Sequence, residues 1–110
     1  MTPRPYRPVR ELEGAIERGE LDFALALARE VTLQRGRPLD LQLALGLLSL
    51  VAIQRSDAYD GWALRWLGRW ISESRQPTIE QAAEVAGSLA DLPCEPDAAL
   101  EVIRRTCRLE

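Results

Sequence analysis

Residues 39–54, LDLQLALGLLSLVAIQ, decide the fold of this chain. On a helical projection the segment is apolar almost all round, and only Gln42, Gly46 and Ser49 form a narrow, weakly polar strip. A helix with apolar residues on every side is buried in the middle of a bundle. Pro38 is expected to open this helix, because proline suits the first helical turn. The pattern therefore predicts a central helix that the other helices cover.

Two helices are predicted before this segment. They span residues 9–18 and 21–35, and in the second Ala24, Leu27, Ala28 and Val31 recur at helical spacing. Gly19 follows the first and Gly36 the second, and glycine readily adopts the left-handed conformation that ends a helix. Both connections are therefore expected to be short.

Three helices are predicted after the central one. The first spans residues 56–74 and is expected to be capped by Ser56 or Asp57. Thr78, with glutamine three residues later, forms a capping-box pattern that begins the next helix. The last helix spans residues 96–107. The helix that begins after Thr78 is expected to bury one apolar face, made of Ile79, Ala82, Ala83, Ala86, Leu89 and Ala90.

The predicted fold class is all-α. No stretch alternates apolar and polar residues for long enough to form a strand. We expect a single compact bundle of five to six short helices with antiparallel neighbours, because short connections favour that arrangement. Residues 1–8, in which proline alternates with arginine or tyrosine, are expected to form an extended arm, and residues 9–110 the bundle domain.

The composition limits the chemistry of the chain. It is 46% hydrophobic and 28% charged with a net charge of −3, and all 14 basic residues are arginine. Without histidine or lysine, the usual proton shuttle and Schiff-base nucleophile are absent. Cys94 and Cys107 are expected to be free thiols, and two cysteines without histidine do not make a zinc site. We therefore expect no catalytic residues, no metal and no cofactor.

The same properties indicate a location and exclude some partners. The N-terminus lacks the apolar core of a signal peptide. The longest apolar run is too short to span a membrane. We therefore expect a cytoplasmic protein of a bacterial type without membrane contact. Nucleic acid is not the expected partner, because the net charge is negative.

All three tryptophans of the chain lie on one predicted helix, in the segment YDGWALRWLGRW of residues 59–70. Trp62, Trp66 and Trp70 are four residues apart and therefore form one stripe. Arg65 and Arg69 border the stripe on one side. The stripe suits three roles: core packed beneath arginines, a face for a partner or a second copy, or a small-ligand pocket.

The position of each aromatic residue on the helix separates these roles. Trp62 lies at the edge beside the arginines and should be the most exposed tryptophan, whereas Ala63, Leu67, Trp70 and Ile71 should be core. We therefore expect a small non-enzymatic protein–protein interaction module, with self-association as a homodimer as one form of it. The candidate partner-binding residues are Trp62, Arg65, Trp66 and Arg69.

Two short segments resemble known families. Residues 78–88, TIEQAAEVAGS, resemble the first helix of the helix-turn-helix module of repressor-type regulators, which implies a DNA-binding alternative using residues 78–107. The sequence then departs from that family: the turn would be LADLPCEP, and the would-be recognition helix carries Asp97 and Glu101. Residues 64–71, LRWLGRWI, resemble the first helix of a tetratricopeptide repeat, which implies at most an array of helical hairpins without a strict repeat. A ligand-binding bundle is the third alternative.

Overall fold

The computed structural model describes residues 7–109. In that range all regular secondary structure is helical, which confirms the all-α prediction. Residues 1–6 of the predicted arm lie outside the described range, and residues 7 and 8 belong to the first helix. The described helices are α1 (Arg7–Glu17), α2 (Leu21–Arg35), α3 (Leu41–Gln54), α4 (Ser56–Glu73), α5 (Ile79–Asp91) and α6 (Pro96–Cys107).

The helices pack as three consecutive hairpins, α1 with α2, α3 with α4, and α5 with α6. The second hairpin contacts the first through α3, and the third contacts the second through α5, which packs on α4. Side chains tie the hairpins at their turns. Gln54 donates to the carbonyl of Gly19 at 2.7 Å, and Arg55 forms an ion pair with Asp22. The bundle is therefore a short series of hairpins in which each packs mainly on its neighbour.

Helix α3 separates two hydrophobic clusters. Leu47 belongs to the cluster that α3 shares with α1 and α2, whereas Leu45, Leu48 and Val51 belong to the larger cluster, which α3 shares mainly with α4, α5 and α6 and which also includes Leu21 of α2. Each side removes apolar surface from water, so neither side of the helix can be polar. This explains why α3 is apolar almost all round. The α5–α6 hairpin packs chiefly on α4 rather than covering α3 directly.

The ends of α3 and α4 differ from the prediction. Helix α3 does not open at Pro38 but at Leu41. Arg55 is the single residue between α3 and α4, and it ends one helix and precedes the other. Neither Ser56 nor Asp57 caps α4. Both already belong to the helix, and the N-cap position is occupied by Arg55, whose side chain makes no capping hydrogen bond.

Three other predicted helix ends are confirmed. Gly19 and Gly36 adopt positive φ angles of 72° and 66° at the ends of α1 and α2. Thr78 and Gln81 form the capping box at the start of α5, with both hydrogen bonds at 3.0 Å. These local signals could be recognised in the sequence because each acts within four residues of the chain.

The buried face of α5 is only partly the predicted one. Val85 and Leu89 are buried, whereas Ile79 is 86% exposed and Ala83 and Ala90 are also exposed. The helix is rotated so that its two bulkier central residues face α4 and α6, since larger apolar side chains gain more from burial. As a result, α5 carries a second set of apolar residues on its outer side.

Two helical glycines test how closely α1 approaches α3. A Cβ atom on Gly46 would lie 3.2 Å from Cγ2 of Ile16, whereas one on Gly68 would meet nothing within 4 Å. Replacing glycine by alanine within a helix stabilises it by about 0.5–1 kcal/mol. We expect this gain for Gly68→Ala and a smaller gain for Gly46→Ala, measured by urea unfolding. Equal gains would show that α1 is not held against α3 at Ile16.

The buried Tyr59 hydroxyl and the half-buried Cys107 thiol couple stability to alkaline pH. The Tyr59 hydroxyl donates to the carbonyl of Leu89 at 2.6 Å and joins α4 to α5. Burial, with a further contribution from the nearby Asp60 carboxylate, raises the pKa of Tyr59 from 10.0 to about 12. Burial also raises the pKa of the Cys107 thiol from 9.0 to about 12. Both groups keep their protons in the folded chain at pH values where the unfolded chain loses them.

The free energy of unfolding should therefore fall as the pH rises from about 9 to about 12. Tyr59→Phe should cost about 1 kcal/mol at pH 7, because it removes a buried hydrogen bond. Above pH 10 the free energy of unfolding of the same variant should fall less steeply with pH than that of the wild type. Urea titrations at several pH values measure both effects. Cys107→Ala is the control: it should remove the fall in the free energy of unfolding that begins near pH 9, where the thiol of the unfolded chain ionises, and keep the fall due to Tyr59. Parallel declines in wild type and Tyr59→Phe would contradict the assignment.

Candidate functional site

Helix α4 presents three different sides. Its buried side consists of Tyr59, Ala63, Trp66 and Trp70. The flank toward α5 carries Leu64, Leu67 and Ile71, and the opposite flank carries Trp62, Arg65 and Arg69. This second flank forms one wall of a groove, which is the candidate site.

The groove has a volume of about 790 Å³ and lies over α3, between α2 and α4. Ala44, Leu47 and Leu48 of α3 contribute to its floor. The connection between α2 and α3 closes one end. The wall from α2 includes Leu33, which is 76% exposed although it is a large apolar residue. The groove is therefore a concave and largely apolar surface that is open to solvent.

Two of the predicted site residues build the groove. The indole N–H of Trp66 donates to the carbonyl of Leu41 at 3.0 Å, and the Trp66 side chain is only 4% exposed. Arg69 donates to the carbonyl of Leu39 at 2.7 Å and pairs with the Glu73 carboxylate at 2.8 Å. These bonds hold α4 against the first residues of α3 and the connection before it. Trp66 and Arg69 therefore fix the shape of the groove through contacts inside the protein.

The other two predicted residues are available to a partner. Trp62 is half-buried, and its indole N–H has no hydrogen-bond partner within residues 7–109. The guanidinium carbon of Arg65 lies 5.5 Å from the centroid of the Trp62 ring, which is a cation–π distance. Stacking limits the freedom of both side chains, so they present a preorganised apolar and cationic contact.

The charge of the groove is opposite to that of the chain. Four arginines line it, Arg29 and Arg37 in addition to Arg65 and Arg69, and none of the described side chains that line it is acidic. Among these described arginines, only Arg69 forms an ion pair. The net charge of the whole chain is −3. A ligand that enters the groove therefore meets an apolar floor with a cationic rim.

The structure brings all four predicted site residues into this one groove. Trp62 is the most exposed of the three tryptophans, as predicted, since Trp66 and Trp70 are 4% and 3% exposed. Arg29, Arg37 and Leu33 were missed, because they lie on α2 and its following connection, far from α4 in sequence. Leu33 lies off the apolar stripe of α2, and this position is the signal in the sequence that could have indicated the second wall.

The prediction that Ile71 is core is wrong, and the prediction that Leu67 is core is confirmed only in part, since Leu67 packs against the core cluster without being fully buried. Leu67 is only half-buried, and Ile71 is 43% exposed. The side chains of α5 that face this flank include the short Ala86 and Ala90, which leave a cavity of about 130 Å³ beside Leu67. Small residues on α5 therefore do not cover the wide apolar arc of α4.

The α5–α6 pair does not have helix-turn-helix geometry. Helix α5 continues to Asp91, so the connection consists of residues 92–95 only, shorter than the sequence suggested. The Thr106 hydroxyl donates to the Glu84 carboxylate, which places the end of α6 beside the first half of α5. The two helices thus lie antiparallel along their length, whereas the helices of a helix-turn-helix cross at about 90–120°.

Metal-binding clusters and membrane-spanning helices are not found in the described range. Residues 7–109 contain no group of three or more histidine, cysteine or acidic side chains that could hold a metal ion. None of the described helices is both long and apolar enough to cross a membrane. The Cys107 thiol, with its raised pKa, is protonated at neutral pH and is a weak nucleophile.

Comparison with known proteins returned no matching family model, no matching curated protein and no matching solved structure. The chemistry of the groove is therefore the basis for assigning a function.

The different roles of Trp70 and Trp62 can be tested by truncation. Trp70→Ala should cost about 3–5 kcal/mol, because it leaves a cavity in the core. Trp62→Ala should change the free energy of unfolding by no more than about 1 kcal/mol, because its ring borders the groove. Urea unfolding of both variants measures the difference. Equal losses would mean that Trp62 is also core.

Proposed function

We propose that this chain is a small non-enzymatic protein-interaction module that binds a protein segment in the groove between α2 and α4. The observation that carries the proposal is the set of four arginines around an apolar floor, with no carboxylate among the described residues that line it. Tryptophan and arginine are enriched among the residues that dominate binding energy at interfaces. Arrays of helical hairpins also present concave surfaces of this kind to protein partners.

The chemistry of the groove selects the kind of segment. Leu33, Ala44 and Trp62 offer apolar contacts in which aliphatic or aromatic side chains of a partner can be buried. Arg29, Arg37 and other rim arginines favour carboxylates at the edges of that contact. An amphipathic helix with apolar residues at helical spacing and acidic residues on its flanks meets both requirements.

A small molecule with an apolar chain and one anionic group is a second candidate ligand. The groove volume of about 790 Å³ lies within the range of about 300–1,000 Å³ typical of small-molecule sites. Its arginines and apolar floor match a long-chain carboxylate as well as an acidic helix. This proposal differs from the first in the size of the ligand, so one set of titrations separates them.

The test uses two synthetic helical peptides of about 18 residues, long enough to form a helix in the groove. Both have leucines on one face; one has glutamates on its flanks and the other has lysines there. Fluorescence of the protein's tryptophans is followed, with peptides that contain none. We expect micromolar binding of the acidic peptide that weakens with salt, and at least a tenfold loss with Arg65→Glu. The control variant Arg10→Glu makes the same charge change at an exposed position of α1 and should bind the acidic peptide as tightly as the wild type does.

Three outcomes would contradict the protein-segment proposal. These are equal binding of the acidic and basic peptides, an unchanged affinity of Arg65→Glu for the acidic peptide, and no binding of either peptide. If laurate binds in the groove while both peptides fail, the small-ligand candidate replaces the first. Laurate binding is then lost in Arg65→Glu and retained in Arg10→Glu.

A further inference from the structure

The charge of this chain is unevenly distributed. Residues 7–75 contain ten arginines and ten acidic residues, whereas residues 76–109 contain three arginines and six acidic residues. The α5–α6 hairpin therefore accounts for the negative charge of the described range. The cationic groove lies on the other two hairpins. One molecule thus carries two surfaces of opposite charge on different hairpins.

The outer side of α5 has the composition that the groove favours. Residues spaced four apart form a strip that is exposed and free of charge from the first residue of the helix to Gly87. Ile79 at its start is the most exposed large apolar residue of the described chain, at 86%. The strip consists of Ile79, Ala83 and Gly87, and the exposed acidic residues along one edge of it are Glu80, Glu84 and Asp91.

The α5 helix cannot occupy the groove of its own molecule. It packs on α4 from the flank opposite to Trp62, and the Tyr59 hydroxyl holds it there through the carbonyl of Leu89 at 2.6 Å. The body of α4 separates this flank from the groove. An α5 helix that enters the groove must therefore come from a second molecule.

We infer that the groove binds the outer side of α5 of a second copy of this chain, an inference that rests on the proposed function of the groove. The apolar strip of α5 lies over the floor, and its acidic edge faces Arg29, Arg37 and Arg65. Opposite charges of this kind fix the orientation of the two molecules and accelerate their encounter.

The association is head-to-tail. The two surfaces that meet are different and lie on opposite flanks of α4, so a pair of molecules that joins one groove to one α5 leaves the other groove and the other α5 free. Contacts of this kind produce rings or open chains rather than a closed pair. A two-fold dimer through the grooves would instead place the arginines of one copy against the same arginines of the other. The homodimer considered from the sequence is therefore replaced by open association.

Sedimentation velocity on full-length protein tests this arrangement. At low salt the average mass of the wild type should rise beyond that of a dimer between about 5 and 500 μM, and high salt should reverse the rise. Arg65→Glu blocks the groove, and Ala83→Arg places a cation in the middle of the α5 strip. Each variant alone should remain monomeric. Arg10→Glu and Ala98→Arg, matched changes at exposed positions outside both surfaces, should associate as the wild type does.

The decisive measurement is an equimolar mixture of Arg65→Glu and Ala83→Arg. The first retains α5 and the second retains the groove, so the mixture should form a one-to-one complex and grow no further. A wild type that stays monomeric, a closed dimer, or a mixture without a complex would overturn the inference. Binding of the acidic peptide by a monomeric wild type would leave the proposed function standing and remove only this inference.

Discussion

The structure depends on the burial of α3 from two sides. A leucine that is fully removed from water contributes about 1.5–3 kcal/mol, and α3 contributes buried leucines to both hydrophobic clusters. Helices α1 and α2 must cover one side and α4 the other. Once α3 is fixed in this way, the first two hairpins have little freedom in how they pack. The third hairpin then has only α4 left as its main contact.

The groove is a consequence of the same packing. Helices α2 and α4 both lie against α3, and the floor between them includes the small side chain of Ala44. The hydrogen bonds from Trp66 and Arg69 to backbone carbonyls near the start of α3 keep α4 in place. The groove therefore does not depend on a ligand for its shape. A rigid wall also reduces the entropy lost on binding, which leaves more of the contact energy for affinity.

Much of the fold and part of the site could be predicted from the sequence. Gly36, Thr78 and the tryptophan stripe act through local spacing, and the positions that they predict on helices are the ones observed. The exposure of Ile71 and Ile79 could not be predicted. It depends on the small size of the α5 residues that face Ile71 and on how α5, which carries Ile79, is rotated against α4. Arg29 and Leu33 were missed for a related reason, since only the tertiary fold brings α2 opposite α4.

The single residue between α3 and α4 determines where the length of this chain can change. Each residue added to a helix rotates the rest of that helix by about 100°. An insertion beside Arg55 would move Trp62 away from the groove and Tyr59 away from the carbonyl of Leu89 at the same time. The connections over residues 36–40 and 74–78 have five residues each and can absorb a change in length locally. The first of these connections lines the groove and binds Arg69, so lengthened or fused versions of this protein are best joined at residues 74–78, and α3 with α4 is best kept as one indivisible part.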